Sequence, residues 1–216
     1  MSELNQRFRT DFGYNLHLSN LAELEETRLQ MPIIKKIEYY PEKLIGFNYA
    51  KTSKSFTSGI HFYLDDYQFE RVWNQPEKYL DLLRRFNFAF TPDFSLYTDM
   101  PRPLQIYNTY RNRLLGAWWQ LKGVNVIPTI SWSDELSFDF VFAGIEKGGV
   151  VTVSTVGVSR NKEAKERWIA GITEMIKWIK PSVILIYGNP IDFEHEGIEV
   201  IYFDNTNSER MKQIGR

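Results

Sequence analysis

Short apolar runs alternate with segments of helical period along most of the chain. Runs rich in β-branched and aromatic residues predict strands at 44–50, 60–64, 88–91, 124–130, 150–156, 183–187 and 198–203. Between them, apolar residues recur about every 3.6 positions, which predicts helices at 67–73, 78–85, 103–122, 135–143 and 162–180. Strands that alternate with helices form right-handed βαβ units, so we predict an α/β fold with a mostly parallel sheet. The pattern leaves open whether the sheet stays open or curls towards a partial (β/α) barrel.

The first 43 residues do not follow this alternation. Ser19 and Asn20 can cap a short helix that carries Leu21, Leu24 and Leu29 and ends at Pro32. We therefore predict an N-terminal helical arm, residues 1–43, packed on a core of residues 44–205. A chain of 216 residues has the size of one ordinary domain, so we expect 1–216 to form a single α/β domain.

Composition narrows the protein class. Apolar residues make up 43% and charged residues 25% of the chain, which is typical of a globular protein with a packed core. The apolar runs are too short for a membrane span and the first residues lack a secretory pattern, so a cytoplasmic location in a host cell is expected. The absence of cysteine excludes disulfides, thiolate metal sites and cysteine nucleophiles. A net charge of -1 does not favour a nucleic-acid binder.

Polar side chains follow several predicted strands at the point where each strand ends. In parallel α/β folds, ligands bind beyond the carboxyl ends of the strands, so these positions are candidates for a site. They are Asp65, Asp66, Asp93, Ser95, Ser131, Trp132, Ser133, Asp134, Ser154, Thr155 and Asn189. Helix capping explains many of them equally well. Asp93 differs because it lies too far upstream of the helix that begins near Pro103 to cap it.

Arg111 occupies an unusual place on the predicted helix 103–122. On a helical wheel it falls inside the apolar arc that also contains Tyr107 and Trp118, so its charge needs a partner. The partner is either a carboxylate such as Asp93 or Asp99, or a phosphate or carboxylate of a ligand. A third interpretation is a basic and aromatic surface for single-stranded nucleic acid, formed by Arg102, Arg111, Arg113, Tyr107, Tyr110 and Trp119.

Standard catalytic signatures are missing from the sequence. There is no phosphate-binding loop, no dinucleotide-binding glycine pattern and no serine-hydrolase elbow. The histidines, His17, His61 and His195, are widely separated, so no zinc site is expected. If a metal binds, Asp93 and Asp134 are its candidate ligands, and carboxylate and hydroxyl oxygens favour magnesium or manganese.

Three stretches of the sequence resemble a known protein family. They are Pro92-Asp93-Phe94-Ser95-Leu96-Tyr97 with Met100-Pro101, then Gln105 to Arg113, and Val126 to Asp134. Ser137-Phe138-Asp139, Val153 to Gly157 and Tyr187-Gly188 are similar to later segments of the same family, domain of unknown function 4417. This family is common in bacteriophages, prophages and other mobile elements. The resemblance implies a phage or mobile-element origin, and it brings no catalytic residues with it.

Two classes of function fit these observations, and the sequence does not decide whether the protein is an enzyme. The first is a carboxylate-dependent hydrolase, metal-assisted in one version, with an anionic or nucleotide-like substrate. In it, Asp93 is the general base or metal ligand, Asp134 its partner and Arg111 the anion clamp. Further substrate contacts would come from Tyr107, Ser95, Ser131, Trp132, Ser154 and Asn189. A glycosidase version uses the same two acids, with Trp132 stacked on a sugar.

The second class is a non-enzymatic phage protein that binds a host protein and acts in replication or against host defence. The generous content of Tyr, Trp and Arg supports it, because these residues are favoured at interfaces. A single-stranded nucleic-acid accessory protein is a further alternative, based on the helix that carries Arg111.

Overall fold

The strands of the core are parallel and follow one another in the sheet in chain order. The structure is a computed structural model that describes residues 8–158 and 161–204. Within these residues, one set of strands comprises β1 (Leu44–Gly46), β2 (Gly59–His61), β3 (Phe88–Phe90) and β4 (Val126–Ile127), and a second comprises β5 (Val150–Ser154), β6 (Val183–Tyr187) and β7 (Glu199–Phe203). A parallel bridge between Thr129 and Thr152 joins β4 to β5. The prediction of an α/β fold on a parallel sheet is confirmed.

The described helices are α1 (Phe8–Gly13), α2 (Leu16–Ser19), α3 (Phe47–Ala50), α4 (Glu70–Asn74), α5 (Pro76–Arg84), α6 (Arg102–Leu121), α7 (Phe138–Val141) and α8 (Lys162–Ile179). Five of them, α4 to α8, overlap the ranges predicted for helices between strands, whereas α1, α2 and α3 were not predicted. Short 3-10 turns at Asp66–Gln68 and Glu135–Ser137 precede α4 and α7. The run predicted as one strand, 44–50, changes after Gly46 into α3, whose spacing buries both Phe47 and Ala50.

The sheet is curled, which settles the alternative that the sequence left open. Strands β2 and β6 are four positions apart, so a flat sheet would separate them by roughly 19 Å. The rings of Tyr63, just after β2, and Tyr187, in β6, are stacked with centroids 5.0 Å apart, and the ring of His61 lies 4.4 Å from that of Tyr187. The strands therefore face one another across a filled interior, as in a partial (β/α) barrel. The buried interior residues are Ile37, Tyr63, Phe88, Phe90, Ile127, Val150, Val183, Leu185 and Tyr187.

Within residues 8–43, the part of the N-terminal arm that the structure describes, the α-helices are α1 and α2. Helix α2 ends at Ser19, so the prediction that Ser19 and Asn20 start a helix through Leu29 is wrong; the leucines that helix would carry, Leu21 and Leu24, are exposed. The following segment is extended, because its backbone hydrogen bonds go to the core. The Ile34 amide donates to the Gly144 carbonyl at 2.9 Å, and the Ile37 carbonyl accepts from Val150 at 2.8 Å. Ile37 thereby enters the barrel interior beside the first residues of β5 and β6.

Among residues 8–158 and 161–204, no helix is both long enough and apolar enough to cross a membrane.

Candidate functional site

A cleft of about 570 Å³ lies at the carboxyl ends of the strands. It opens where β2, β3, β4 and β5 end, which is where parallel α/β folds place their ligands. Its walls combine carboxylates, hydroxyl groups, aromatic rings and a few aliphatic side chains. The lining residues are Tyr63, Leu64, Asp65, Asp66, Asp93, Ser95, Leu96, Tyr97, Met100, Ile130, Ser131, Trp132, Ser154, Val156, Val158 and Trp168.

Asp66 and Asp93 line the same cleft in different surroundings. The Asp66 carboxylate accepts the Ser95 amide at 3.2 Å and the Ser95 hydroxyl at 2.8 Å, which fixes its orientation. The pKa of Asp93 is raised to about 7, mainly by burial; a hydrogen bond from Ser131 lowers it and the charge of Asp66 raises it, and both effects are included in this value. Asp93 therefore changes its protonation state near neutral pH, as a general acid or base must.

Two tryptophans form one wall of the cleft, and both indoles are fixed by hydrogen bonds to backbone. The Trp132 Nε1 donates to the Arg167 carbonyl at 3.2 Å, and the Trp168 Nε1 donates to the Ser154 carbonyl at 2.9 Å. Their ring centroids are 6.2 Å apart at an angle of 44°. The wall is therefore rigid, since both rings are held through α8 or β5.

Tyr63 forms part of the cleft floor and connects it to the barrel interior. Its hydroxyl lies 2.8 Å from the Thr152 hydroxyl, which itself donates to the Leu185 carbonyl at 3.0 Å. Because the Thr152 proton is used in that second bond, Tyr63 is the donor in the first. Burial raises the pKa of Tyr63 well above its ordinary value, and the charge of Asp93 adds to this, so the phenol stays protonated.

A polar stripe on α6 holds the loop that carries Asp93 and Ser95. Gln105, Asn108 and Asn112 lie on one buried face of the helix and donate to carbonyl oxygens of that loop. The acceptors are Tyr97 at 3.0 Å and Met100 at 2.8 Å for Gln105, Ser95 at 2.8 Å for Asn108, and Pro92 at 2.8 Å for Asn112. The loop is thus held along its length by side chains of the next sequence block, which gives a physical reason why these two blocks occur together.

The structure brings five of the predicted site residues into the cleft: Asp93, Ser95, Ser131, Trp132 and Ser154. It places Asp134 elsewhere, in a bidentate ion pair with Arg102 at 3.0 and 3.2 Å. Hydrogen bonding to Arg102 lowers the pKa of Asp134. Asn189 is exposed, and its carbonyl accepts the Thr155 hydroxyl at 2.8 Å. Neither Asp134 nor Asn189 lines the cleft.

Arg111 is buried and paired inside the protein. Its guanidinium donates to Glu70 at 2.5 Å and to Asn108 at 2.7 Å, and it lies 3.8 Å from the centroid of the Phe94 ring. The expected partners, Asp93 and Asp99, are thus replaced by Glu70, which the fold brings from α4. Tyr107 packs beside this guanidinium, with its ring centroid 5.3 Å away, and does not line the cleft.

The basic and aromatic surface predicted on α6 does not form. Arg113 is 2% exposed, and its side chain donates to the carbonyls of Val141 and Ala143 and to Asn112. Trp119 is fully buried in the core. The prediction of a nucleic-acid surface on this helix is therefore wrong. Other elements cover α6 on several sides, which a helical wheel of its sequence does not show.

Tyr63 and Trp168 line the cleft but were not among the predicted candidates, because Tyr63 lies in a predicted strand and Trp168 on the apolar face of a predicted helix. Asp66 was a strand-end candidate, but no pattern in the sequence paired it with Asp93. The available signal was position, since Tyr63 and Asp66 both follow β2. The described residues contain no group of three or more His, Asp, Glu or Cys side chains arranged to hold a metal ion.

Comparison with known proteins gives two consistent results. The chain is 38% identical over 162 residues to the Gene 1 protein of Mycobacterium phage L5, covering 74% of this chain and 71% of that protein. It is also 38% identical to the Gene 1 protein of Mycobacterium phage D29, where the match covers 60% of that protein. No solved structure matches. A family described as a domain of unknown function, DUF4417, matches residues 24–204, and the chain belongs to this family, which includes phage proteins.

Proposed function

We propose that the cleft is the active site of a carboxylate-dependent hydrolase. The observation that carries the proposal is the presence of two carboxyl groups, Asp66 and Asp93, in one cleft at the carboxyl ends of the barrel strands. One is oriented by two hydrogen bonds from Ser95, and the other is held where burial favours its protonated form. Two acids with different environments are the usual arrangement for one proton donor and one base.

The roles follow from these environments. Protonated Asp93 donates its proton to the oxygen of the leaving group as the substrate bond breaks. The Asp66 carboxylate takes a proton from the attacking water, which forms the new bond to the substrate. Both acids then return to their initial state by exchanging protons with solvent. Ser95 and Ser131 keep the two carboxyl groups oriented throughout.

Asp66 replaces Asp134 in this proposal, because Asp134 is engaged by Arg102 outside the cleft. Arg111 is not placed as an anion clamp, because it does not line the cleft and its Nη1 and Nη2 atoms donate to Glu70 and Asn108. A metal-assisted version would place magnesium or manganese at Asp66 and Asp93, with water or substrate as the other ligands. That version predicts that a chelator abolishes hydrolysis and that added Mg²⁺ or Mn²⁺ restores it.

The test is hydrolysis of a panel of chromogenic esters, glycosides and phosphodiesters from pH 5 to 8, with and without EDTA. We expect Asp93→Asn and Asp66→Asn each to reduce the rate on the accepted substrate by about 10²-fold or more. Asp134→Asn is the matched control, since it removes a carboxylate outside the cleft and should retain most activity. Equal rates in the wild type and in both cleft variants would overturn the proposal.

A second candidate function is the binding of a host protein without catalysis. It is supported by large side chains that are exposed at or beside the cleft, with Tyr97 60% and Tyr67 79% exposed. Aromatic residues of this kind are favoured in protein interfaces. In that case Tyr67→Ala and Tyr97→Ala would weaken association with a purified host protein, whereas Asp93→Asn would leave it unchanged.

A further inference from the structure

The charge of the cleft limits what it can hold. Asp65, Asp66 and Asp93 line it, and no Lys, Arg or His belongs to its described lining. Two arginines of α6, Arg102 and Arg111, are already paired with Asp134 and Glu70. A phosphate or carboxylate in this cleft would meet negative charge without a described cation to balance it. The described lining therefore favours an uncharged ligand over a phosphate or a carboxylate.

The hydrogen-bonding groups of the cleft are mainly acceptors. The Ser95 hydroxyl donates to Asp66, the Ser154 hydroxyl donates to the Tyr187 carbonyl at 3.2 Å, and Ser131 is hydrogen-bonded to Asp93. These bonds use the hydroxyl protons. The Ser154 oxygen also accepts the Val156 amide at 3.1 Å, which leaves one of its two lone pairs for a ligand. A complementary ligand must bring its own donors, as a molecule with many hydroxyl groups does.

Trp132 supplies a flat apolar surface beside these acceptors. Its indole lies directly on the backbone of α8 at Gly171, so closely that a β-carbon at position 171 would overlap the ring. The Nε1 bond to the Arg167 carbonyl fixes the ring in its plane. Helix α8 covers one side of the indole. The part of the ring that the helix does not cover lines the cleft and can stack on a second flat group.

We infer that the ligand of this cleft is an uncharged glycoside whose ring stacks on Trp132 while its hydroxyl groups donate to the carboxylates of Asp65 and Asp66. The statement that the glycoside is cleaved rests on the hydrolase proposed above, whereas the statement that it binds does not. A sugar ring combines a flat face of C–H groups with donors around its edge, which matches the platform and the acceptors together. Oligosaccharides and nucleosides are the two sources of this chemistry.

The test measures binding to the Asp93→Asn protein, in which hydrolysis is blocked, by saturation-transfer NMR and calorimetry. The probes are neutral trisaccharides of glucose, galactose and N-acetylglucosamine, the nucleosides adenosine and uridine, AMP, and spermidine as a cationic donor. We expect at least one trisaccharide or nucleoside to bind, and the responding group identifies the source. Binding of AMP or spermidine without any neutral glycoside, or no binding at all, would overturn the inference.

Variants at a distance from the acids test the platform. In the Asp93→Asn background, Gly171→Ala displaces the indole and Trp132→Ala removes it, so each should weaken glycoside binding at least tenfold. Trp132→Phe should retain part of the affinity. Thr173→Ala, also in α8 but not beneath Trp132, is the matched control and should bind normally. Thermal unfolding confirms that each variant is folded, and unchanged binding in folded Gly171→Ala and Trp132→Ala proteins would contradict the role of the ring.

The outcomes separate this inference from the hydrolase. Glycoside binding by a wild type that hydrolyses no glycoside would support the ligand class and count against the enzyme. Hydrolysis of a charged substrate that depends on Asp66 and Asp93 would support the enzyme and overturn the ligand class.

Discussion

At the scale of single residues, burial and the charge of Asp66 destabilise the ionised form of Asp93, whereas its hydrogen bond with Ser131 stabilises that form. The balance favours the protonated form, which gives the pKa of about 7 against an ordinary value of 3.8. Asp66 accepts two hydrogen bonds from Ser95. One cleft thus holds two carboxyl groups in different environments, which is the usual arrangement for acid and base catalysis.

The same burial predicts a stability effect for Asp93→Asn. In the folded protein, Asp93 retains its proton between about pH 3.8 and pH 7, where the unfolded chain has lost it. The protonated side chain therefore contributes to the free energy of unfolding at low pH, and this contribution is lost as the pH rises through 7. We expect Asp93→Asn to gain roughly 1–3 kcal/mol relative to wild type at pH 8 but little at pH 4, a range that allows for partial exposure of the side chain. Urea unfolding at the two pH values measures this; an equal effect at both would contradict it.

The two carboxylates that the sequence selected, Asp93 and Asp134, show what can be predicted at this scale. Asp93 was identified by a local feature, its distance from the next helix. Asp134 follows β4 in a similar way, but its partner Arg102 lies 32 residues earlier and comes close only in the folded chain. Glu70 is likewise 41 residues from Arg111. Partners that tertiary structure brings together leave no periodic trace in the sequence.

At the scale of elements, helix α6 serves as the scaffold of the site. It buries Gln105, Asn108 and Asn112 among apolar neighbours, and each of these side chains satisfies backbone carbonyls of the loop after β3. Such carbonyls would otherwise be buried without donors, which is costly. The helix therefore stabilises the loop and positions Asp93 through the same hydrogen bonds.

We predict that Asn112→Ala destabilises the protein by about 2 kcal/mol or more. The change removes the amide that donates to the Pro92 and Thr129 carbonyls at 2.8 and 3.3 Å, and also the acceptor for Arg113. Activity should fall as well, because the loop that carries Asp93 loses one of its attachments. Leu121→Ala, on an exposed position of the same helix, should cost far less. Chemical denaturation provides the comparison, and equal losses would show that the stripe has no special role.

Helices and strands of the core were predictable because each has a clear period or a dense apolar run. Helix α8 and strand β6 agree closely with the expected ranges, 162–180 and 183–187. The prediction for the arm failed because the structure of the arm depends on pairing with distant residues. The backbone of Ile34 is hydrogen-bonded to Gly144 and Glu146, and no local sequence pattern encodes that pairing. Leu21 and Leu24 suggested a helical face that the fold leaves exposed.

At the scale of the whole molecule, the arm and the barrel share their cores. Ile34 packs in the cluster that surrounds α6, and Ile37 packs in the barrel interior with β3, β5 and β6. Near the open edge between β1 and β7, the Tyr40 hydroxyl donates to Glu199 at 3.0 Å. These contacts indicate that loss of residues 34–40 would expose parts of both cores to water.

We therefore expect the chain to unfold as one unit, as predicted for a single domain. A truncation that begins at residue 44 should fail to give a cooperative unfolding transition. The milder change Ile37→Ala should lower the free energy of unfolding by about 2–4 kcal/mol, because Ile37 is buried in the interior. Calorimetry distinguishes the alternatives: a folded, cooperative fragment of residues 44–216 would mean that the arm is separate from the domain.

The curled sheet also buries His61, which gives the molecule a second and opposite dependence on pH. Burial lowers the pKa of His61 to about 3, whereas an unfolded histidine has a pKa of about 6.5. The unfolded chain therefore binds the additional proton between pH 6.5 and 3, so this residue costs stability as the pH falls through that range. Asp93 has the opposite effect: it costs stability as the pH rises from 3.8 to 7. Each of these protons changes the free energy of unfolding by at most about 1.4 kcal/mol per pH unit.

In the wild type the two effects oppose each other between about pH 4 and 6.5, and single variants should separate them. The His61→Asn protein, which can retain an acceptor for the Tyr63 amide, should become less stable as the pH rises through this window, because only the effect of Asp93 remains. The Asp93→Asn protein should become more stable as the pH rises over the same window, because only the effect of His61 remains. His195→Asn, at an exposed position, should follow the wild type. Urea unfolding at several pH values gives the slopes; slopes of the same sign in His61→Asn and Asp93→Asn would show that the barrel does not hold these groups as described.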